Sequence, residues 1–230
     1  MFRKYETVLF DIDDTLLDFY ACGKAALRRA FAWHELEFHD ADFAAYLTIS
    51  NRLWREMELG NLNQQTVLDT RFVELFQELG YSDVDAVQFE RDYRQLLSEE
   101  HEMTPGALDI MQYLHGKGYR IYLVSNSEAE TQFQRIRLCG IEPYIQGIFT
   151  PDLVGFQKPM PQFFRFCFEQ IPDFDLKRTM IVGDSLTSDM EGGNRVGIAT
   201  CWYHPNTRKN PLQIPYDYEI INFEELKKIL

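Results

Sequence analysis

The sequence predicts an α/β protein, a doubly wound and mostly parallel sheet with an all-helical domain inserted near its start. Three observations lead there. From Thr104 onward, short β-branched and aromatic runs alternate with helical stretches, the pattern of a parallel sheet with crossover helices. Between residues 17 and 101 no strand pattern occurs, only apolar residues at helical spacing. And the first strand, Thr7-Val8-Leu9-Phe10, stands alone before that helical stretch, so the helices interrupt a sheet already begun. Expected boundaries are a core of 1–16 and 102–230 and a helical insert of 17–101.

The opening strand runs directly into Asp11, Asp13 and Asp14. Unpaired carboxylates are too costly for a core, but they fit the C-terminal end of a strand, where α/β sheets open into a crevice. Clustered carboxylate oxygens suit a hard cation such as Mg2+ and, through it, a phosphate. A polar strand-to-loop turn explains the same residues equally well.

Four amphipathic helices follow. Ala25, Leu27, Ala30 and Phe31 mark the first; Phe43, Leu47, Leu53, Trp54 and Met57 the second; Leu68, Phe72, Leu75, Phe76 and Leu79 the third; Phe89, Tyr93, Leu96 and Leu97 the fourth. Gly60-Asn61 breaks the second and Gly80 stops the third. These stripes read as core.

At Thr104-Pro105-Gly106 the pattern changes, with Thr104 as expected N-cap and Pro105 at the first helical position. A strand at 119–124 then ends in Ser125-Asn126-Ser127, followed by a helix over 128–139 and a weak strand at Ile148-Phe149. A helix covers Pro161–Gln170. The strand Thr179–Val182 ends in Gly183-Asp184-Ser185, and a short helix passes Gly192-Gly193. Strands over 198–202 and 218–221 and a helix over 223–230 complete the order.

At 230 residues and 45% hydrophobic content the chain can bury a sizeable core. The formal net charge of -13 argues against nucleic acid as a partner, since no basic stripe is present. An anionic substrate gains no global steering, so an anion site has to be built locally. Cys22, Cys139, Cys167 and Cys201 are scattered with no metal-ligand spacing and read as free thiols of a reducing compartment. The apolar run after Met1-Phe2-Arg3-Lys4 is too short for a signal peptide, and no stretch approaches the ~20 apolar residues of a membrane-spanning helix. A cytoplasmic location without membrane partners is expected.

The polar strand ends form a set: Asp11 and Asp13, Ser125-Asn126, Asp184 with Asp189 five positions on, and between them Gln157-Lys158-Pro159. Together they resemble the four motifs of the haloacid-dehalogenase-like (HAD) hydrolase superfamily, whose members are mostly Mg2+-dependent phosphatases. Asp11-Ile12-Asp13-Asp14-Thr15 is similar to the first motif, Ser125-Asn126 to the second, Lys158-Pro159 to the third, and Gly183 to Asp189 to the acidic fourth. The resemblance covers the whole chain and implies a Rossmann-like core with a helical cap between the first two motifs. Each piece alone has an ordinary explanation: a solvated loop lysine, a helix cap, an acid at a helix start. Four pieces in order do not.

The resemblance implies a division of labour that the residue types can carry. Asp11 is expected as nucleophile, forming an aspartyl phosphate that water hydrolyses. Asp13 is expected to protonate the leaving oxygen and then activate that water. Ser125, Asn126 and Lys158 are expected to bind the phosphoryl group. Mg2+ is expected on Asp11, the Asp13 carbonyl and Asp184, with Asp189 orienting Lys158 or a metal-bound water. Asp14 is left without a chemical role. The second aspartate of the first motif, Asp13, disfavours dehalogenation, and Thr15 is similar to phosphatases rather than transport ATPases.

At a finer level, Asn51-Arg52-Leu53-Trp54, the stretch from Gly183 to Gly193, and Ala199-Thr200-Cys201-Trp202 resemble bacterial pyrimidine 5'-nucleotidases. Asn206-Thr207-Arg208-Lys209-Asn210 fits as well, or is simply a basic loop. Phe156 and Gln157 depart from that pattern, where relatives carry a smaller residue and a non-amide. A nucleoside 5'-monophosphate is the expected substrate, its base contacted by Asn51, Trp54 or Arg55, although Trp54 reads equally as core. Alternatives are a broad small-metabolite or sugar-phosphate phosphatase, a β-phosphoglucomutase-like mutase, and a non-catalytic binding protein.

Overall fold

The computed structural model describes residues 3–206 and 209–230, so Thr207 and Arg208 of the expected basic loop lie outside the described residues. Its sheet has six strands, β1 Thr7–Phe10, β2 Arg120–Val124, β3 Gly147–Phe149, β4 Thr179–Gly183, β5 Ala199–Tyr203 and β6 Tyr218–Ile220. All neighbours pair in parallel, in the order β3-β2-β1-β4-β5-β6. The chain starts in the middle, moves outward through β2 and β3, and returns to the other side of β1 with β4. The order therefore reverses between β1 and β4, which is where a parallel α/β sheet opens a ligand crevice beyond its strand ends.

The helices are α1 Phe19–Trp33, α2 Asp40–Glu58, α3 Gln64–Leu79, α4 Ala86–Glu99, α5 Ala107–Gly116, α6 Ala129–Leu138, α7 Pro151–Val154, α8 Pro161–Gln170, α9 Glu191–Val196 and α10 Phe223–Ile229. The chain separates into two compact units, one of Met1–Asp18 with His101–Leu230 and one of Phe19–Glu100.

In the sheet unit β1 is buried at every position, as a strand covered on both faces must be. Alternation assigns its residues to two cores. Val8 and Phe10 pack with Ile110, Met111, Leu114, Tyr203 and Phe223. Leu9 packs on the opposite face with Val124, Phe163, Phe164, Ile181 and Trp202. Burial of this apolar surface, at about 25 cal/mol per Å², holds the central strand so firmly that the residue following it has a fixed position.

Thr104 departs from its expected role. The helix begins three residues later, with Gly106 at the N-cap at φ 80°, a conformation glycine adopts without strain. Thr104 Oγ1 instead donates to the Thr15 carbonyl at 2.6 Å, and its own N–H donates to the Leu16 carbonyl at 3.0 Å. The far end of the loop after β1 is thereby tied to the segment that leads into α5.

The helical unit has its own core, in which Phe72 touches Tyr46, Phe76, Phe89 and Tyr93. Asn63 caps α3 through Thr66 N–H and Asp85 caps α4 through Val87 and Gln88 N–H. Gly80 ends α3 at φ 77° as its position after the last apolar residue predicted. Inside this core Arg71 makes a bidentate pair with Glu90, both contacts 2.6 Å, and reaches Tyr46 Oη at 3.2 Å. Within α2, Trp54 packs against the core while Asn51 and Arg55 are exposed; Arg52 pairs with Glu74.

The four cysteines are free, with Cys22, Cys167 and Cys201 buried. Among the described residues no helix is long and apolar enough to cross a membrane.

Candidate active site

Asp11 follows β1, and its N–H donates to the Val182 carbonyl of β4 at 2.9 Å. The sheet ladder thus extends one residue past the strand and plants this aspartate at the point of strand-order reversal. Asp14 then turns the chain with φ 58°, a left-handed conformation that Asp tolerates better than most residues. The turn returns Thr15 beneath Asp11, where its Oγ1 donates to Asp11 Oδ2 at 3.1 Å.

Lys158 lies 1% exposed with its ammonium surrounded by oxygen. It donates to Asp11 Oδ1 at 2.6 Å, Asp189 Oδ1 at 2.7 Å and the Val124 carbonyl at 3.0 Å. The three N–H bonds of the ammonium are all used, which is what makes so complete a burial tolerable. Burial lowers the affinity of Lys158 for its proton, but the two carboxylates outweigh it and the net shift is upward. Asp11 moves up too, because burial and the nearby Asp189 charge together outweigh the attraction of Lys158. Two carboxylates are competing for one ammonium.

Asn126, expected to contact phosphate, has its side-chain amide on the main chain of Lys158. It donates to the Lys158 carbonyl at 3.0 Å and accepts from the Lys158 N–H at 2.9 Å. This two-point clamp fixes the loop that carries the lysine. Neither Ser125 nor Asn126 caps the following helix: Ser125 Oγ accepts from Ser127 N–H at 3.0 Å, and the N-cap residue is Glu128.

Asp189 is fully buried in a single π-helical turn, Leu186–Met190, a feature that often accompanies functional sites. Its Oδ1 accepts from Lys158 and its Oδ2 from Ser185 N–H at 3.2 Å. The carboxylate oxygens of Asp11, Asp184 and Asp189 lie within 4.8 Å of one another. All three are anionic oxygen donors, and two of them, Asp11 and Asp189, share the Lys158 ammonium. An all-oxygen set with that charge fits a hard divalent cation such as Mg2+ better than a thiophilic metal. Both Asp189 oxygens are engaged by protein donors, and so are both oxygens of Asp11, by Lys158 and Thr15. The Asp184 carbonyl is fixed by Trp202 Nε1 at 2.9 Å.

Gly183 has no room for a side chain. A Cβ there would stand 2.2 Å from Asp189 Oδ2 and 2.4 Å from its Cγ, and Asp189 cannot swing aside without releasing Lys158. Gly183→Ala should therefore lower turnover by roughly 100-fold, the scale of a displacement of about 1 Å in a catalytic group. Steady-state kinetics paired with thermal unfolding would show whether the loss lies in the site.

Two residues of this region carried no expectation from the sequence. Gln132 and Arg135 of α6 are both fully buried and both contact Asp13. Arg135 Nη1 donates to Asp13 Oδ1 at 2.5 Å and Gln132 Nε2 to Asp13 Oδ2 at 2.6 Å.

Comparison with known proteins agrees with this geometry. A sequence model described as haloacid dehalogenase-like hydrolase matches residues 5–197, and the chain belongs to that family. It is 40% identical over 228 residues to the HAD-hydrolase YfnB of Bacillus subtilis, covering 99% of this chain and 96% of that one. It is 32% identical over 222 residues to the pyrimidine 5'-nucleotidase PynA of Streptococcus pneumoniae, covering 96% and 93%. To the pyrimidine 5'-nucleotidase YjjG of Escherichia coli it is 26% identical, covering 99% and 98%. The crystal structure of YfnB bound to magnesium superposes with a TM-score of 0.94 over 99% of both chains. A dehalogenase structure at 14% identity and a TM-score of 0.77 shares the fold.

Proposed function

We propose that this hydrolase is a Mg2+-dependent phosphomonoesterase that works through an aspartyl phosphate on Asp11, with nucleoside 5'-monophosphates, pyrimidine ones first, as substrates. The observation that carries the reaction is the Asp11 carboxylate at the strand-order reversal, with Thr15 on one oxygen and Lys158 on the other. A dianionic phosphate approaches a carboxylate only where positive charge offsets the repulsion. Lys158 supplies part of that charge, and Asn126 fixes the loop that delivers it. Asp11, Asp184 and the Asp13 carbonyl would hold a Mg2+, which would supply the rest of that positive charge. Asp11 attacks phosphorus in line with the departing oxygen, and Asp13 protonates that oxygen. Water activated by Asp13 then cleaves the acyl phosphate, returning Asp11 and releasing phosphate. Ser125, whose hydroxyl accepts from Ser127 and Gln132 and keeps its own proton to donate, is assigned to the phosphoryl oxygens.

The substrate reading draws on the two nucleotidase relatives, each matched over nearly its whole length. Base selection is assigned to the helical unit, to exposed Asn51 and Arg55 of α2. A sugar-phosphate substrate is the second reading, favoured by a glyceraldehyde 3-phosphate phosphatase of Pyrococcus abyssi at 24% identity.

A phosphate-release screen of dUMP, dTMP, UMP, purine monophosphates and sugar phosphates, with Mg2+ or excess EDTA, tests both levels. Pyrimidine monophosphates should give the highest kcat/KM, and EDTA should abolish release. Phosphoglucose interconversion without free phosphate would select a mutase instead. Base ranking unchanged in both Asn51→Ala and Arg55→Ala would remove the assignment of specificity to α2.

A further inference from the structure

Asp13 has to do two things at one oxygen, give a proton to the leaving group and take one from water, so the aim of its carboxylate matters. The contacts that set that aim come from one helix, α6, and they are buried where few polar groups belong. Arg135 is fully buried yet its guanidinium points at Asp13 Oδ1, 2.5 Å away, and also donates to Gln132 Oε1 at 3.1 Å. Gln132, also fully buried, donates from Nε2 to Asp13 Oδ2 at 2.6 Å and to Ser125 Oγ at 2.9 Å. A buried arginine and a buried amide cost stability unless their bonds are made. Here those that reach outside the pair go to one carboxylate and one hydroxyl of the site, while Arg135 Nη2 makes no hydrogen bond among the described residues.

The arrangement is directional. Each carboxylate oxygen offers two lone-pair positions, and α6 occupies one on each. The Asp13 side chain nonetheless remains 27% exposed. Gln132 also couples two site groups, since one amide nitrogen touches both Asp13 and Ser125.

We propose, resting on the phosphomonoesterase reading above, that Gln132 and Arg135 are positioning residues for proton transfer. Together they fix the plane of the Asp13 carboxylate, and Gln132 sets it in register with the Ser125 hydroxyl. Neither touches the substrate. They act through Asp13, so their removal hurts most where protonation of the leaving oxygen is most needed.

The test is a leaving-group series of phosphate monoesters, from dinitrophenyl through phenyl to alkyl, on wild type, Gln132→Met and Arg135→Lys. Misaligning a general acid costs little with an activated leaving group and up to about 100-fold with a poor one. The expected result is a loss in kcat/KM at least about tenfold greater on the alkyl than on the dinitrophenyl ester. Arg135→Lys keeps the buried charge and supplies the same comparison should Gln132→Met not fold. In an Asp13→Asn background either substitution should cost nothing further, because residues acting as one unit are not additive. Equal losses across the series, or losses that add to that of Asp13→Asn, would overturn the proposal and leave the two residues as packing. If wild type hydrolyses none of the esters, the phosphomonoesterase reading falls instead, and this proposal with it.

Discussion

Asp11→Asn should abolish phosphate release, by at least about a thousandfold, while leaving the protein folded. Loss of a covalent nucleophile commonly costs several orders of magnitude, and the residue's other contacts do not replace it. The amide keeps the shape, and with its oxygen towards Lys158 its Nδ2 can donate to Thr15 Oγ1, which contacts Asp11 Oδ2 at 3.1 Å. Lys158 keeps Asp189 and the Val124 carbonyl as partners. Stability should therefore change little, and thermal unfolding within a few degrees of wild type shows that the loss lies in the chemistry. A variant with full Mg2+-dependent turnover would rule out the covalent route.

Lys158→Met should damage both stability and activity. The side chain is 1% exposed and is the only cation bonded to Asp11 and Asp189 among the contacts described here. Removing one partner of a buried pair typically costs 3–5 kcal/mol, because the remaining charge is left uncompensated. Here two carboxylates would be left, one of them fully buried. Added divalent cation should recover part of the melting temperature, since it opposes the same repulsion. It should not recover turnover. Thermal melts with and without Mg2+, beside phosphate release, separate the two effects.

The sheet was readable because parallel strands covered on both faces are short apolar runs. Thr7–Phe10 is buried throughout and carries the site residue directly after it. The helices of 19–100 were readable from period alone, since Phe72, Leu75 and Phe76 share a buried face. Thr104 was misread because a threonine before proline looks like a cap, whereas its bonds go to residues nearly ninety positions earlier. Asn126, expected at the phosphate, also clamps the main chain thirty-two residues on, a contact between segments too far apart in sequence to be read from it.

Gln132 and Arg135 escaped notice because polar residues in a helix ordinarily mark the solvent face. A signal was present. Ala129, Gln132 and Ile136 fall at the three-and-four spacing of the buried stripe of α6, so the amide stands where an apolar residue was due. A polar residue on an apolar stripe is a pointer to a buried partner.

The central claim is that Asp11 carries the phosphoryl group. Rapid acid quench during turnover, followed by mass spectrometry of the peptides, tests it most directly. The account predicts one added phosphoryl group on the peptide containing Asp11, labile to hydroxylamine and missing from Asp11→Asn. Phosphate on a different residue, or steady turnover with no phosphorylated enzyme at any quench time and full activity in Asp11→Asn, would contradict it.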